Sequence, residues 1–204
     1  MRTTPPRARI DRAAVVAAAR ELLDEEGMAG LSMAKLGQRL GVTGMALYRH
    51  VADRADLESA VATSVLEDLL TEPEIPGDWI EGIAGWMWRV REHWRSHPWL
   101  GNLLGSATQV SPPWRATLQR LADQLERGGL PPETIARELI RISRATAGAV
   151  VLENAAPLTA DGGFHGPLAK HLRRYGNDDL FADLVADVVA RLRSTTKDTS
   201  NATS

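Results

Sequence analysis

Apolar residues recur along this chain three and four positions apart, in stretches divided by glycine, proline and capping residues, and this period predicts helices. From Asp11, "DRAAVVAAARELLDEEG" opens on an N-cap type, carries Val15, Ala19, Leu22 and Leu23 as its stripe, and closes on Gly27. Ser32 can cap a short helix, "MAKLGQRL", that Gly41 ends, and Thr43 can cap a third from Gly44 to about His50. A fourth runs from Arg54 to about Leu70. The pattern then predicts "DWIEGIAGWMWRVREHWRSH" ended by Pro98, a short piece through Leu104, and a helix from near Pro113 to the glycines at 128–129. A long helix follows over about 132–156. A loop rich in Gly and Asp at 157–177 leads to a last helix over about 178–193. No stretch reads as a convincing strand. The expectation is an all-α chain of about nine helices in two groups, with helix four (54–71) connecting them.

The stretch "GVTGMALYRHV" at 41–51 gathers a phenol, a guanidinium and an imidazole on about one turn. Leu36, Leu40, Val42, Leu47 and Val51 can close a small core with the first helix, the pattern of a helix-turn-helix. With Leu47 and Val51 inward, Tyr48, Arg49 and His50 lie round the other side, and all three are donors suited to phosphate oxygens. A solvated helix face would carry the same residues, and helix-turn-helix geometry also occurs in proteins that never touch DNA. Charge adds a little: nine basic against six acidic side chains through Arg54 leave the head at +3, while the rest of the net −2 chain stands at −5.

Those residues carry a resemblance. The run "AARELLDEEGMAGLSMAKLGQRLGVTGMALYRHVADRADLESAV" resembles the N-terminal domain of the tetracycline-repressor (TetR) family of transcriptional regulators, over roughly residues 11–66. Its parts are the "G-x-x-G-L-S" join, the "L-G-x-x-L-G-V" turn, and "L-Y-x-H-V" followed by an acidic-basic pair and a leucine. The resemblance implies a basic arm at 1–9, a DNA-binding domain at 10–53, a ligand-binding and dimerisation domain at 72–194, and a disordered tail at 195–204. It implies phosphate contacts from Tyr48, His50 and Arg54, with Thr43, Gly44, Met45, Ala46 and Arg49 at the base-facing start of the recognition helix. Gly44, Met45 and Ala46 have almost no hydrogen-bonding capacity, so part of the readout is expected from Thr43, Arg49, the arm "RTTPPRAR" or DNA shape. Lys35 and Arg39 match no family contact and read equally well as surface charge.

In the body, a wheel places Trp79, Ile83, Trp86, Met87, Val90 and Trp94 on one stripe and Trp88 opposite. Ile142, Thr146, Val150 and Glu153 share a face of the long helix. Together these stripes form either solid core or the walls of a pocket whose sparse polar groups are Thr146 and Glu153. Glu153 near a helix end would equally reach solvent. Trp86 stands where tetracycline-binding members carry a polar group for the drug, and no histidine clearly stands ready for its metal. The expected effector is therefore a small apolar or aromatic molecule, not tetracycline. Leu139, Leu180, Leu184 and Val188 are candidates for a homodimer interface, with Ala182, Ala186 and Ala190 as a small-residue strip beside them.

Other chemistries find little support. There is no cysteine, signal peptide or membrane-length apolar run, which fits a cytoplasmic protein. His93 and His97 have metal-ligand spacing but no third ligand. No cofactor site or catalytic constellation stands out, so an enzyme is not expected. The leading reading is a repressor released from a palindromic double-stranded DNA operator by a small molecule. The alternative is a helical small-molecule-binding or adaptor protein that does not bind DNA.

Overall fold

A computed structural model describes residues 10–71, 73, 77–105, 111–153 and 174–202. Every regular element among them is a helix: α1 (Arg12–Gly30), α2 (Met33–Leu40), α3 (Gly44–Leu47), α4 (Arg54–Thr71), α5 (Trp79–Ser96), α6 (Leu100–Gly105), α7 (Pro112–Arg127), α8 (Pro132–Glu153) and α9 (Asn177–Ala202). The arm at 1–9 and most of the loop expected at 157–177 lie outside the described residues. The chain divides into two compact units, Met1–Asp68 with Trp99–Ser111, and Leu69–Pro98 with Pro112–Ser204.

The first unit is built from local signals. Asp11 caps α1 by accepting from the Ala14 N–H at 2.8 Å, and Val15, Ala19, Leu22 and Leu23 are buried along its inner side. The helix breaks at Gly27, whose φ of 66° is the left-handed conformation that glycine adopts without strain. Ser32 accepts from the Lys35 N–H at 3.2 Å, and Gly41 closes α2 with φ 69°. Of the expected miniature core Leu36, Leu47 and Val51 are at most 2% exposed, Leu40 and Val42 are only half-buried, and Leu57 and Val61 of α4 are buried too.

Two expectations need correction here. Helix three ends at Leu47, three residues early, because the His50 N–H turns back to the Leu47 carbonyl at 2.8 Å. Thr43 occupies its N-cap position without a side-chain cap bond, so Tyr48, Arg49 and His50 sit in the turn that follows the helix. The domain boundaries also shift: Trp99 and α6 belong to the first unit, where the Trp99 Nε1–H donates to Asp24 at 2.7 Å and Leu100 is fully buried.

In the second unit Asp78 caps α5, accepting from Ile80 and Glu81 N–H at 2.8 and 2.9 Å. α5 and α7 run antiparallel. A side chain at Gly128 would meet the Trp79 ring, one at Gly82 would meet Gln124, and further along Trp86 and Trp94 both face Trp114. Phe181, Val188 and Leu192 of α9 are buried as well, Phe181 against the Trp88 ring. The tail expected to be disordered from 195 continues α9 to Ala202. No glycine or proline interrupts 177–202, and the Thr195 and Thr196 hydroxyls bond back to the Arg191 and Leu192 carbonyls at 3.0 and 2.9 Å.

Candidate nucleic-acid interface

The turn after α3 is held by a polar knot. Arg12 of α1 donates to both carboxylate oxygens of Asp56, at 2.9 and 2.6 Å, and to the His50 carbonyl at 2.8 Å. Asp56 also accepts from the Ala52 N–H at 2.8 Å. The hydrogen bonds from Arg12 first, and from Ala52 second, hold the Asp56 carboxyl down at about 2. Arg12 is raised in turn by its bond to Asp56. One ion pair therefore fixes the backbone that carries His50 to the start of α4.

Close approach of α2 and α3 fixes the opposite side of the motif. A Cβ at Gly37 would lie 2.7 Å from the Gly44 nitrogen, and one at Gly44 would lie 2.8 Å from the Met33 carbonyl oxygen. Gly44, expected among the base-facing residues, is thus required by packing. Met45 projects outward at 77% exposure, Tyr48 is 46% exposed, and Thr43 and Arg49 are exposed as well. Ala46 and His50 are partly covered.

The cations divide into two groups. Lys35 pairs with Glu26, Arg39 with Glu25, and Arg20 with Asp68 at 2.6 Å. Arg54 bonds Glu58 at 2.7 Å and the Leu31 carbonyl at 3.1 Å, with its side chain still 53% exposed. Arg49 has no ion pair among the described residues. It stands beside exposed Tyr48 as a cation that a phosphate would not have to win from a carboxylate. A trough of about 670 Å³ between α1 and α4 is lined by Val16, Thr63 and Glu67 among others, and it includes Arg20 and the Arg12–Asp56 pair.

The stripe expected in the second unit is buried. Ile83, Met87, Val90, Ile142, Thr146 and Val150 are at most 1% exposed, Trp86 is 6%, and Trp79 is half-buried. The Trp86 indole N–H donates to the Thr117 carbonyl at 3.1 Å, so its polar atom is satisfied in the core. Glu153 neither reaches open solvent nor stands free: Arg91 holds it at 2.5 Å. Among the described residues two buried side-chain polar atoms are left without partners, Trp94 Nε1 and Thr146 Oγ1. Of the dimer candidates, Leu180 is exposed, Leu139 and Leu184 are half-buried, and Val188 packs inside its own unit. His93 and His97 stack at 4.9 Å, but the His97 Nδ1 faces the His93 carbonyl, and no group of three ligating side chains occurs among the described residues.

Sequence reasoning missed Arg91 and Glu138. Arg91, 3% exposed, bonds Glu153 and Asp178 at 2.5 Å each, and lies 5.4 and 4.8 Å from the ring centroids of Trp88 and Phe181. Burial works against its charge, but the bonds from Asp178 and Glu153 outweigh this and raise its pKa. Glu138, 2% exposed, is met by Arg141 at 3.2 Å and by Arg191 at 3.0 Å, tying α8 to α9. Both adjoin an apolar stripe, Arg91 beside Met87 and Trp94 and Glu138 beside Ile135 and Ile142, but their charge argues against burial.

Residues 15–61 match the model of a family described as bacterial regulatory proteins, tetR family. An HTH-type transcriptional regulator of Saccharopolyspora erythraea is 28% identical over 159 residues, 78% of this chain and 67% of that one. The class A tetracycline repressor of Escherichia coli is 31% identical over 143 residues, covering 69% of this chain and 66% of the repressor. The crystal structure of TetR from Acinetobacter baumannii AYE superposes with a TM-score of 0.74 at 26% identity, over 91% of this chain and 98% of that one.

Proposed function

The chain belongs to the TetR family of transcriptional regulators, and on that premise we propose that it binds a palindromic operator as a homodimer and is released by a small effector. The observation that carries the DNA reading is the projecting group of Met45, Tyr48 and unpaired Arg49 on a turn that Arg12, Asp56, Gly37 and Gly44 hold in place. Tyr48, His50 and Arg54 are the phosphate contacts in this reading. Thr43, Met45, Ala46 and Arg49 face the bases, and Gly44 gives only backbone. The second unit holds the effector between α5, α7 and α8, behind an aromatic cluster of Trp86, Trp94 and Trp114. The surroundings of these side chains favour an aromatic or apolar molecule. Trp86 turns its polar atom to Thr117, leaving it none for a drug such as tetracycline.

Selection of bound genomic fragments tests the reading, followed by titrations of the recovered site and of random DNA. Arg54→Ala is expected to weaken both and to reduce the salt slope by about one unit, while Arg49→Ala should weaken the recovered site more than random DNA. Arg49→Ala should cost more, because Arg54 must first give up Glu58. No enriched site, or an unchanged salt slope in Arg54→Ala together with an unchanged site preference in Arg49→Ala, would leave the helical adaptor as the better reading.

A further inference from the structure

We propose that the indole N–H of Trp94 is the hydrogen-bond donor that recognises the effector, and that the effector is a planar multi-ring molecule carrying a neutral ring carbonyl oxygen. This rests on the reading of the second unit as the effector's site.

An indole nitrogen can only donate, and Trp94 is 2% exposed with no acceptor at Nε1 among the described residues. A buried donor left unpaired is costly, and native interiors rarely keep one without a use for it. Its neighbours on the same arc do not share the defect. Trp86 donates to Thr117, and the Thr117 hydroxyl bonds the Pro113 carbonyl at 3.0 Å. The Thr146 hydroxyl is also unpaired, but a χ1 rotation can bring a helical threonine to its own i−4 carbonyl, here that of Ile142. Trp94 has no such remedy, because its nitrogen stands at the far edge of a large rigid ring.

The surroundings say what the acceptor is attached to. The Trp94 ring meets Trp114 edge-on at 5.5 Å, and Trp114 lies 6.2 Å from Trp86, so the donor emerges from a cluster of three indoles. Such a cluster favours flat aromatic surface. On α5, Trp94 lies between Trp86, which faces α7, and Arg91, whose partner Glu153 ends α8. Arg91 is committed to Glu153 and Asp178, so no free charge is offered to the ligand from this side. What stands against the Trp94 ring is the Trp114 indole on one side and the His93 imidazole at 6.3 Å, so the donor is set among aromatic walls. A ring-borne oxygen suits it; a carboxylate or phosphate, which would need a cation, does not.

A matched pair of probes tests this: 9,10-anthraquinone, with two carbonyl acceptors, and anthracene, with the same three-ring frame and none. By equilibrium dialysis the wild type should favour the quinone by about tenfold, roughly one hydrogen bond. Trp94→Phe, which keeps a ring and loses the N–H, should bind both probes alike. In the wild-type protein the Trp94 indole proton resonance should move downfield with the quinone and not with anthracene, while that of Trp86 stays in place. This readout decides the matter even if the variant fails to fold. Equal binding of both probes by the wild type, with no movement of that resonance, would overturn the role of Trp94 and leave the site standing. Binding of neither would overturn the site and this inference together.

Discussion

Replacing Asp56 with Asn tests the knot beneath the recognition turn. The structure lowers the Asp56 carboxyl from 3.8 to about 2 through bonds from Arg12 and Ala52. A shift of that size is worth at most about 2.5 kcal/mol at ~1.36 kcal/mol per unit. The Asp56 side chain is 32% exposed and that of Arg12 48%, so solvent screening reduces the expected contribution to about 1 kcal/mol. The sign follows from the direction. A carboxyl whose folded pKa is depressed stabilises the fold above its unfolded value and loses that stabilisation as pH falls through the folded one. At pH 6 the Asn variant should therefore be about 1 kcal/mol less stable in the first unit, and between about pH 4 and pH 2 the difference should close. Urea titrations followed by the amide NMR signals of α1 and α4 measure this without contribution from the second unit. A difference that stays constant from pH 6 to pH 2, or is absent at pH 6, would refute the reasoning.

Three further outcomes follow from other contacts. Gly44→Ala places a methyl 2.8 Å from the Met33 carbonyl, so it should cost about 1–3 kcal/mol in thermal unfolding and weaken DNA binding, although no side-chain contact to DNA is removed. Arg91→Met leaves the Glu153 carboxylate, 11% exposed, without its partner and should destabilise the second unit by about 3 kcal/mol; adding Glu153→Met should recover most of that in the same urea titration. Ala186→Arg puts a long charged side chain on the exposed strip shared with Ala182 and Ala190, and sedimentation should then show monomers; a persistent dimer would move the interface elsewhere.

What could be read from the sequence was whatever depends on neighbours along the chain. Asp11, Ser32 and Asp78 cap helices as their residue types suggest, and Gly27 and Gly41 stand at the left-handed positions where helices close. Leu47 and Val51 face inward because four-residue spacing puts them on one side of a turn. What depends on distant partners stayed hidden. The bond from Trp99 to Asp24 spans 75 positions, and no local pattern would assign α6 to the first unit. Arg91 and Glu138 are charged residues beside apolar stripes, and the arrival of Asp178 and Arg191 from α9 permits their burial. On α5, Trp86 and Trp94 looked alike; Thr117 and Trp114 of α7 separate them.

The poverty of hydrogen-bonding groups at the start of α3 then has a structural origin. Gly37 and Gly44 bring α2 and α3 too close for any side chain at 44, so that position cannot be given to reading bases. Ala46 is partly covered by the same packing. The surface left for base edges is Thr43, Met45 and Arg49: one hydroxyl, one flexible apolar chain and one guanidinium. Arg49 bidentate to a guanine, with Met45 against a thymine methyl, is the direct readout such a surface allows, and each good contact discriminates by about 1–3 kcal/mol. Few strong contacts per half-site make selectivity depend on pairing two half-sites, so a variant confined to the monomer should lose far more affinity for its operator than for random DNA.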